Sequence, residues 1–380
     1  MTRSTHSSLL SKRDSSFSEK YLVAIRCVHE CAGMTACWGF RFVVFSVFLL
    51  LTACNNKAPF YQEQGYVFGT LVEVSVYGET DQLARQGVRE VMQEFQRLHD
   101  MLHAWQASEL GELNVRFARG ESAAISSELV TILQDAAKLS EQSQGLFNPA
   151  IGSLVKLWGF HADEFIPAQP DEKAIAELVA AKPMMSDISI VNGRAESRNK
   201  FVQVDLGGYA KGYALDRAAA MMHKLGIDNA LINIGGNVLA LGKHGDRAWR
   251  VGIQHPRKPG ALATLALNDG EAIGTSGDYQ RYFMIGSVRY CHLINPDSGY
   301  PMQGVQSVTV LTRGVRAGVL SDVASKPVFI SGARGWAAAA RQMEVPEAML
   351  VDEQGAVHLT AAMQKRLEFT DNFIRPTVEQ

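Results

Sequence analysis

The run Asp205-Leu206-Gly207-Gly208-Tyr209-Ala210-Lys211-Gly212-Tyr213-Ala214-Leu215-Asp216-Arg217 leaves the backbone few choices. Its approach, Phe201-Val202-Gln203-Val204, is apolar and β-rich and predicts a strand that ends at Asp205. Two glycines follow, and Tyr209 through Leu225 carry helical periodicity until Gly226 stops it. Backbone N–H groups at such a helix start point at anions, and glycines let phosphate oxygens come close. Lys211, in or near the first turn, adds a cation that reaches the same oxygens. The run can therefore hold a phosphorylated ligand; read alone, it fits a tight turn beside an exposed lysine equally well.

The chain around it mixes two periods. Leu71-Val72-Glu73-Val74-Ser75-Val76 alternates as a half-buried strand does, while Leu83, Val88, Val91, Met92, Phe95, Leu98 and Leu102 recur at helical spacing. A second helix is predicted from Ser127 to Gln144, capped by Ser126 or Ser127 and stopped by Gly145. Residues 161–188 are acidic, alanine-rich and helical in part. Strand-like runs then dominate: Ala230 to Ile234, Trp249 to Gln254, Leu262 to Leu267, Tyr282 to Ile285 and Gln306 to Thr312. Gly, Asn and Pro turns separate them, as in mostly antiparallel sheets, and helices near 210–225, 316–325 and 335–343 must cover them. The expected architecture is α+β, one domain over residues 65–370, without a repeat or a linker that would divide it.

Net charge is -2 and no basic tract interleaves with aromatics, so nucleic acid is not an expected partner. Phe42 through Cys54 is too short to span a bilayer but fits a signal-peptide core. Leu51-Thr52-Ala53-Cys54 resembles the bacterial lipoprotein processing site, which makes Cys54 the lipidated residue and residues 54–64 a tether. Residues 1–53 then divide into an upstream extension and the signal peptide, with Met34 a better start than Met1 because Arg41 gives a short charged n-region. The expected location is the periplasmic side of a bacterial membrane, the outer in preference to the inner because Asn55 follows the cysteine. Cys291 is the one cysteine downstream of Cys54, so the mature chain forms no internal disulfide; it reads as a packing residue.

The Asp205-Leu206-Gly207-Gly208-x-Ala210-Lys211-Gly212 run resembles the signature of the ApbE family, the FAD:protein FMN transferases. Further blocks occur in the family's order: Phe68-Gly69-Thr70, Ser108-Glu109-Leu110 with Leu113-Asn114, Gly145-Leu146-Phe147-Asn148-Pro149 leading to Leu157-Trp158-Gly159-Phe160, and Asn233-Ile234-Gly235-Gly236-Asn237. Thr275-Ser276-Gly277-Asp278-Tyr279, His292-Leu293-Ile294-Asn295-Pro296 with Gly299-Tyr300-Pro301, and Ser321-Asp322 complete the set. The likeness implies T-fold-like halves with the flavin between them, FAD as substrate, Mg²⁺ as cofactor, and transfer of FMN to a Thr or Ser hydroxyl of an acceptor flavoprotein with release of AMP. It also implies an acceptor that is often a subunit of a membrane redox complex.

Carried over residue by residue, the likeness assigns the metal to the Gly208 carbonyl and the Asp322 carboxylate, and FAD contacts to Asp205, Lys211, Leu146, Phe147, Asn148, His292 and Leu293. Asp322, Lys211 and His292 become the catalytic candidates, with Asp322 or His292 as proton acceptor. Trp105 stands near a position where relatives often place a tyrosine and is the candidate to stack on the isoalloxazine ring; a helix-end core aromatic is the other reading. The chain departs from the pattern in Asn148 and Asn295, where relatives commonly have Asp, and above all in Lys326, four residues after Asp322, where a metal-binding threonine is usual. Ser325 offers a hydroxyl next door, or the Lys326 ammonium takes the metal's place. Pro327 is expected at a helical first turn, where it is tolerated. The same lysine leaves open a non-catalytic FAD-binding or flavin-delivery protein, and an FAD pyrophosphatase. Asp216 and Arg217 read as a solvated helix pair, Gly235-Gly236 as a turn or a ligand approach, Asp278 as a turn carboxylate, and the nearby hydroxyls as possible phosphate contacts.

Overall fold

Phe68 and Gly69 join the strands Phe60–Val67 and Thr70–Tyr77 with positive φ at both residues, 56° and 68°, the twist that suits a two-residue hairpin. This hairpin begins a nine-stranded sheet in the computed structural model, which describes residues 58–379. The expected signal peptide, Cys54 and the first part of the expected tether lie outside the described residues. From the hairpin the sheet continues through Ala230–Ile234, Asn237–Leu241, Glu271–Gly277, Val305–Arg313, Glu347–Asp352, Val357–Thr360 and Thr377–Glu379, so spatial order follows chain order. Neighbours pair antiparallel except the last two, which run parallel.

Excursions between consecutive strands supply everything else. Residues 78–229 contribute the long helix Asp81–Leu102, the helices Glu109–Ala118 and Ser127–Gln142, and the central helix Ala210–Lys224. The antiparallel hairpin Trp249–Gln254 with Ala261–Leu267 leaves and re-enters the sheet farther along, as does the hairpin Tyr282–Ile285 with Val288–Cys291. Alternation sorts the strand side chains onto the sheet's two faces. Leu239, Leu241 and Ala272 meet the long and central helices, whereas Val238, Ala240, Ile273, Leu311 and Met349 meet the Trp249 hairpin. The Val305–Arg313 strand, covered on both faces, is buried at every position before Arg313.

The late helix Ala317–Ile330 lies against the middle of the sheet, buried everywhere except at Leu320 and Lys326. It approaches so closely that a Cβ on Gly274 would sit 2.2 Å from the Ser321 carbonyl oxygen. A helix apolar almost all round belongs in a core.

The α+β architecture and mostly antiparallel sheet agree with the sequence reading, and the strands at Trp249 and Tyr282 have the predicted bounds. Four local expectations need correction. The sheet starts at Phe60, so residues 60–64 are strand and not tether; their polar outward positions hid it. Residues past 370 also belong to the fold, since Thr377–Glu379 pairs with Val357–Thr360. Phe201 to Val204 is not a strand: a single bridge from Gln203 to Ile151 supports it, because Asn114 takes both backbone groups of Val204. Pro327 lies deep inside the late helix, not in its first turn; the helix begins ten residues earlier, at Ala317.

Candidate active site

Two helix starts meet at glycines. A Cβ on Gly212 would fall 2.3 Å from the Gly318 carbonyl oxygen, and one on Gly318 would fall 2.4 Å from that of Gly212. This contact brings the central helix's first turn onto the late helix and lets each donate a backbone N–H to the other's carboxylate. Gly212 N donates to Asp322 Oδ2 at 2.9 Å; Gly318 N and Val319 N donate to Asp216 at 2.7 and 2.9 Å. Asp216 is therefore a cap that ties two helices together, not half of a solvated pair with Arg217, which instead reaches Glu94. Burial pushes the Asp216 carboxyl up to about 6 despite its two backbone hydrogen bonds.

Asp322 has no exposed surface, and its second oxygen bonds the Lys326 ammonium. Lys326 Nζ also donates to the Asp322 carbonyl at 2.6 Å, and Lys211 Nζ stands 3.8 Å from Asp322 Oδ1. Burial opposes ionisation of Asp322, but Lys211 and Lys326 outweigh it and hold the carboxyl at about 2. Burial also lowers Lys326, to about 8, so at neutral pH the pair remains an ammonium and a carboxylate. Lys211 donates to the Gly207 carbonyl at 3.2 Å, closing the glycine turn from above. Gly208 presses on the Lys326 stem, whose Cε lies 3.2 Å from where a Gly208 Cβ would be, and Phe147 Cε2 lies 3.5 Å from the same point.

Asp205 is half-buried and accepts from Gly207 N at 2.8 Å. Burial raises its carboxyl, against the Gly207 hydrogen bond and the charges of Arg281 and Lys211. His292 follows the Tyr282–Cys291 hairpin, and its Nδ1 lies 3.2 Å from the Arg281 carbonyl oxygen. A carbonyl only accepts, so Nδ1 carries the proton and the Nε2 lone pair is left open. Burial, then the charges of Arg281, Lys211 and Lys326, bring His292 down to about 3, so it is neutral through the physiological range. Lys211, Lys326, Arg281, Asp205, Asp322 and His292 thus form one electrostatic unit.

The other predicted residues divide between its edge and its scaffold. Trp105 sits in the loop between Leu102 and Glu109, with its ring 5.6 Å from that of His161. Together with Gln106, Ser108, Lys156, Lys200 and Gln203 it lines a cavity of about 660 Å³. Phe147 is buried and Leu146 half-buried beside the glycine turn. The Asn148 side chain braces loops, donating to the Pro183 carbonyl at 2.8 Å and accepting from Ala150 N at 3.1 Å. Leu293 is buried in the main core. Ser325 does not turn to the glycine run: its hydroxyl bonds Ser276 Oγ and the Asp322 carbonyl, both at 2.8 Å. Thr275 likewise pairs with Thr309, so both hydroxyls bond within the scaffold.

Asp278 is no ordinary turn group; it takes both arms of Arg257 at 2.7 and 2.6 Å and neighbours Arg289 at 3.5 Å. Gly235 and Gly236 make a hairpin turn against Thr70, with the Gln280 amide nitrogen 3.9 Å from where a Gly236 Cβ would be. The residues missed in the sequence are Arg281 and His103. Arg281 donates to the Phe160 and Ala162 carbonyls at 2.8 and 3.3 Å, which fixes it as a cation facing Asp205 and His292. Its signal was a lone arginine just after the Thr275–Tyr279 block. His103 approaches Asp205 from the end of the long helix and is lowered by burial and by His99.

Mg²⁺ asks for several hard oxygen ligands in near-octahedral array. Here one Asp322 oxygen bonds an ammonium, the other bonds Gly212 N, and Ser325 is satisfied elsewhere. A divalent ion beside Lys326 would face like charge, so the residues as arranged do not fit it.

Comparison with known proteins returns the same family. The ApbE family model matches residues 68–350. An FAD:protein FMN transferase of Rhodobacter capsulatus is 41% identical over 311 residues, 82% of this chain but 59% of that protein, so the chain spans less than two thirds of its length. One from Treponema pallidum is 30% identical, covering 84% of this chain and 92% of that protein. Among solved structures, an ApbE protein from Thermotoga maritima superposes with a TM-score of 0.74 at 27% identity, covering 81% of this chain and 99% of that one. The flavin transferase ApbE from Vibrio cholerae shares the fold with a TM-score of 0.69 at 24% identity, over 81% of this chain and all of that one. With the family model matched over residues 68–350, and the glycine turn, Lys211 and the buried Asp322 brought together, the chain belongs to the ApbE family.

Proposed function

We propose that this protein binds FAD across the glycine turn and transfers its FMN half to a Thr or Ser hydroxyl of an acceptor flavoprotein, releasing AMP. The observation that carries the reading is the cation cluster at Gly207-Gly208, where Lys211 and Lys326 share one buried carboxylate and Arg281 stands opposite. Such a cluster neutralises linked phosphates, and neutralisation with positioning is most of what phosphoryl transfer requires. The names of the relatives supply the flavin.

In the transfer, the acceptor oxygen forms a bond to the FMN phosphorus and the anhydride P–O bond breaks, with AMP as leaving group. Lys211 steadies the pyrophosphate and Asp322 fixes both lysines in place. His292 is the better proton acceptor of the two candidates. Its Nε2 is open, whereas Asp322 is held at about 2 and both its oxygens are engaged. The phosphates of bound FAD would offset the cations that depress His292 and make it more basic in the complex. Asp205 positions the ligand, Trp105 offers a face to the ring system, and Leu146, Phe147 and Leu293 wall the site. The residues as arranged do not accommodate Mg²⁺.

Incubation of the protein with FAD and an acceptor, with and without Mg²⁺, is read by intact mass. A gain equal to FMN less one water on the acceptor supports transfer; none across a panel of acceptors, with FAD bound, points to the second reading, a flavin-delivery protein, which Lys326 favours. Free FMN and AMP without adduct would instead identify a pyrophosphatase.

The lipobox supports a periplasm-facing lipoprotein anchored through Cys54, in the outer membrane in preference to the inner, with a membrane redox subunit as acceptor. Cys54→Ser should release the protein from membranes, and a variant that stays in the membrane fraction would reject the anchor.

A further inference from the structure

We infer that Lys326 is a resident counter-charge for the dinucleotide's linked phosphates, so that this site holds FAD without a divalent metal. The inference rests on the FAD site proposed above and concerns how that site is neutralised.

The ammonium is placed by three independent contacts. It bonds the Asp322 carboxylate, and it donates to the Asp322 carbonyl at 2.6 Å. Its stem packs on Gly208, Cε lying 3.2 Å from where a Cβ there would be. A lysine ammonium has three donors, and two are used on Asp322. The third is free to meet a phosphate oxygen entering over the glycine turn. Lys326 is also one of two residues of the late helix that are not buried, and its exposed end lies at this turn.

Charge arithmetic points the same way. Lys211 and Lys326 bring two positive charges to one Asp322 carboxylate, which leaves the trio positive overall. An anionic ligand would be drawn to such a trio; a dication would be repelled. The Ser325 hydroxyl, which could have served a metal, is spent on Ser276 and on its own helix.

The test measures FAD binding to the full-length protein by flavin fluorescence, in EDTA and then in Mg²⁺, for the wild type and Lys326→Thr. The wild type should bind FAD with the same Kd in both media, within about twofold, a difference of about 0.4 kcal/mol. Lys326→Thr should weaken binding at least about tenfold in EDTA and recover when Mg²⁺ is added. Mn²⁺ should keep its free-ion EPR spectrum beside the wild type and lose it beside the variant. Wild-type binding that appears only with Mg²⁺, or a variant unchanged in EDTA, overturns the inference. Absence of FAD binding in both media overturns the FAD site itself. Should Lys326→Thr fail to fold, the two wild-type titrations and the Mn²⁺ spectrum still decide.

Discussion

Asp216 and Asp322 exchange places: each belongs to one helix and accepts backbone N–H groups from the first turn of the other. Asp216 of the central helix takes Gly318 N and Val319 N, and Asp322 of the late helix takes Gly212 N. Carboxylates at helix N-termini are favoured by the unpaired donors and by the helix dipole. The reciprocity locks the two helices in register. Lys211 on one and Lys326 on the other are thereby held beside the same Asp322 carboxylate.

Asp216 should make stability fall as pH rises from about 4 to about 6. Its folded-state value is raised to about 6 by burial, above the usual carboxylate range near 4. An acid raised on folding gives stability that is complete below the unfolded value and is lost as pH rises through the folded one. Asp216→Asn removes this titration, so the wild type should lose Tm relative to the variant across that window. A difference that stays flat with pH would refute the assignment. Asp216→Ala, which removes the cap, should cost about 0.5–2 kcal/mol in urea denaturation near pH 4 and less as pH rises through about 6.

Gly212→Ala should separate the helices. The new methyl would lie 2.3 Å from the Gly318 carbonyl oxygen and 2.7 Å from Val319 Cα, both backbone atoms that cannot rotate away. Overpacking of this kind costs about 1–3 kcal/mol. Gly226→Ala serves as a contrast, because nothing stands within 4 Å of its Cβ site and its cost is the strain of a φ of 76° alone. FAD affinity should drop in the first variant and persist in the second.

Most of the framework was legible because period and punctuation agreed. Leu71 to Val76 alternates and is a strand; Leu83 to Leu102 repeats at helical spacing and is a helix. The central helix begins where Tyr209 follows the two glycines. What was not legible depended on contacts across the chain. Phe201 to Val204 has strand composition, but Asn114 binds both polar groups of Val204 from 90 residues away and no strand forms. Asp216 looks solvated until Gly318 brings another helix within reach. Pro327 reads as a helix start on local rules, while burial of the late helix between sheet and central helix carries it through. Lys326 was visible as a departure, but only the geometry ties its ammonium to Asp322.

Removing one partner of that pair should be worse than removing both. Asp322→Asn leaves the Lys326 ammonium without its counter-charge and should cost about 3–5 kcal/mol, whereas Asp322→Asn with Lys326→Met should cost less than the sum of the single changes. Asp322 also sets an acid limit: its folded value near 2 is depressed, so its stabilisation is present above the usual carboxylate range and disappears as pH falls toward 2. Urea titrations of the four proteins at neutral pH check the coupling. Additive losses would show that the two groups do not interact.

Trp105 should report the flavin directly. Its ring borders the cavity of about 660 Å³ and lies 5.6 Å from that of His161. Aromatic stacking is worth about 0.5–1.5 kcal/mol, which sets an expected loss of up to about tenfold in FAD affinity for Trp105→Ala and less for Trp105→Phe. Tryptophan emission should be quenched by FAD in the wild type and much less in Trp105→Phe. Equal quenching in both would place the ring system elsewhere.

His292 should separate binding from transfer. Its imidazole is neutral with Nδ1–H on the Arg281 carbonyl, so glutamine can keep a donor there while losing the basic Nε2. His292→Gln should retain FAD affinity within about threefold and reduce FMN transfer by about 10²-fold or more, the usual worth of a positioned base. Without ligand, the His292 ring signals should stay unchanged from pH 8 to pH 5, because burial, Arg281, Lys211 and Lys326 hold the group near 3. The unfolded chain binds a proton near 6.5 that the folded one refuses, so this histidine withdraws stability as pH falls below that value. FAD should move the transition upward, since its phosphates offset the same cations. A ring that titrates normally in the free protein, or a glutamine variant that transfers at the wild-type rate, would remove His292 from the proton path.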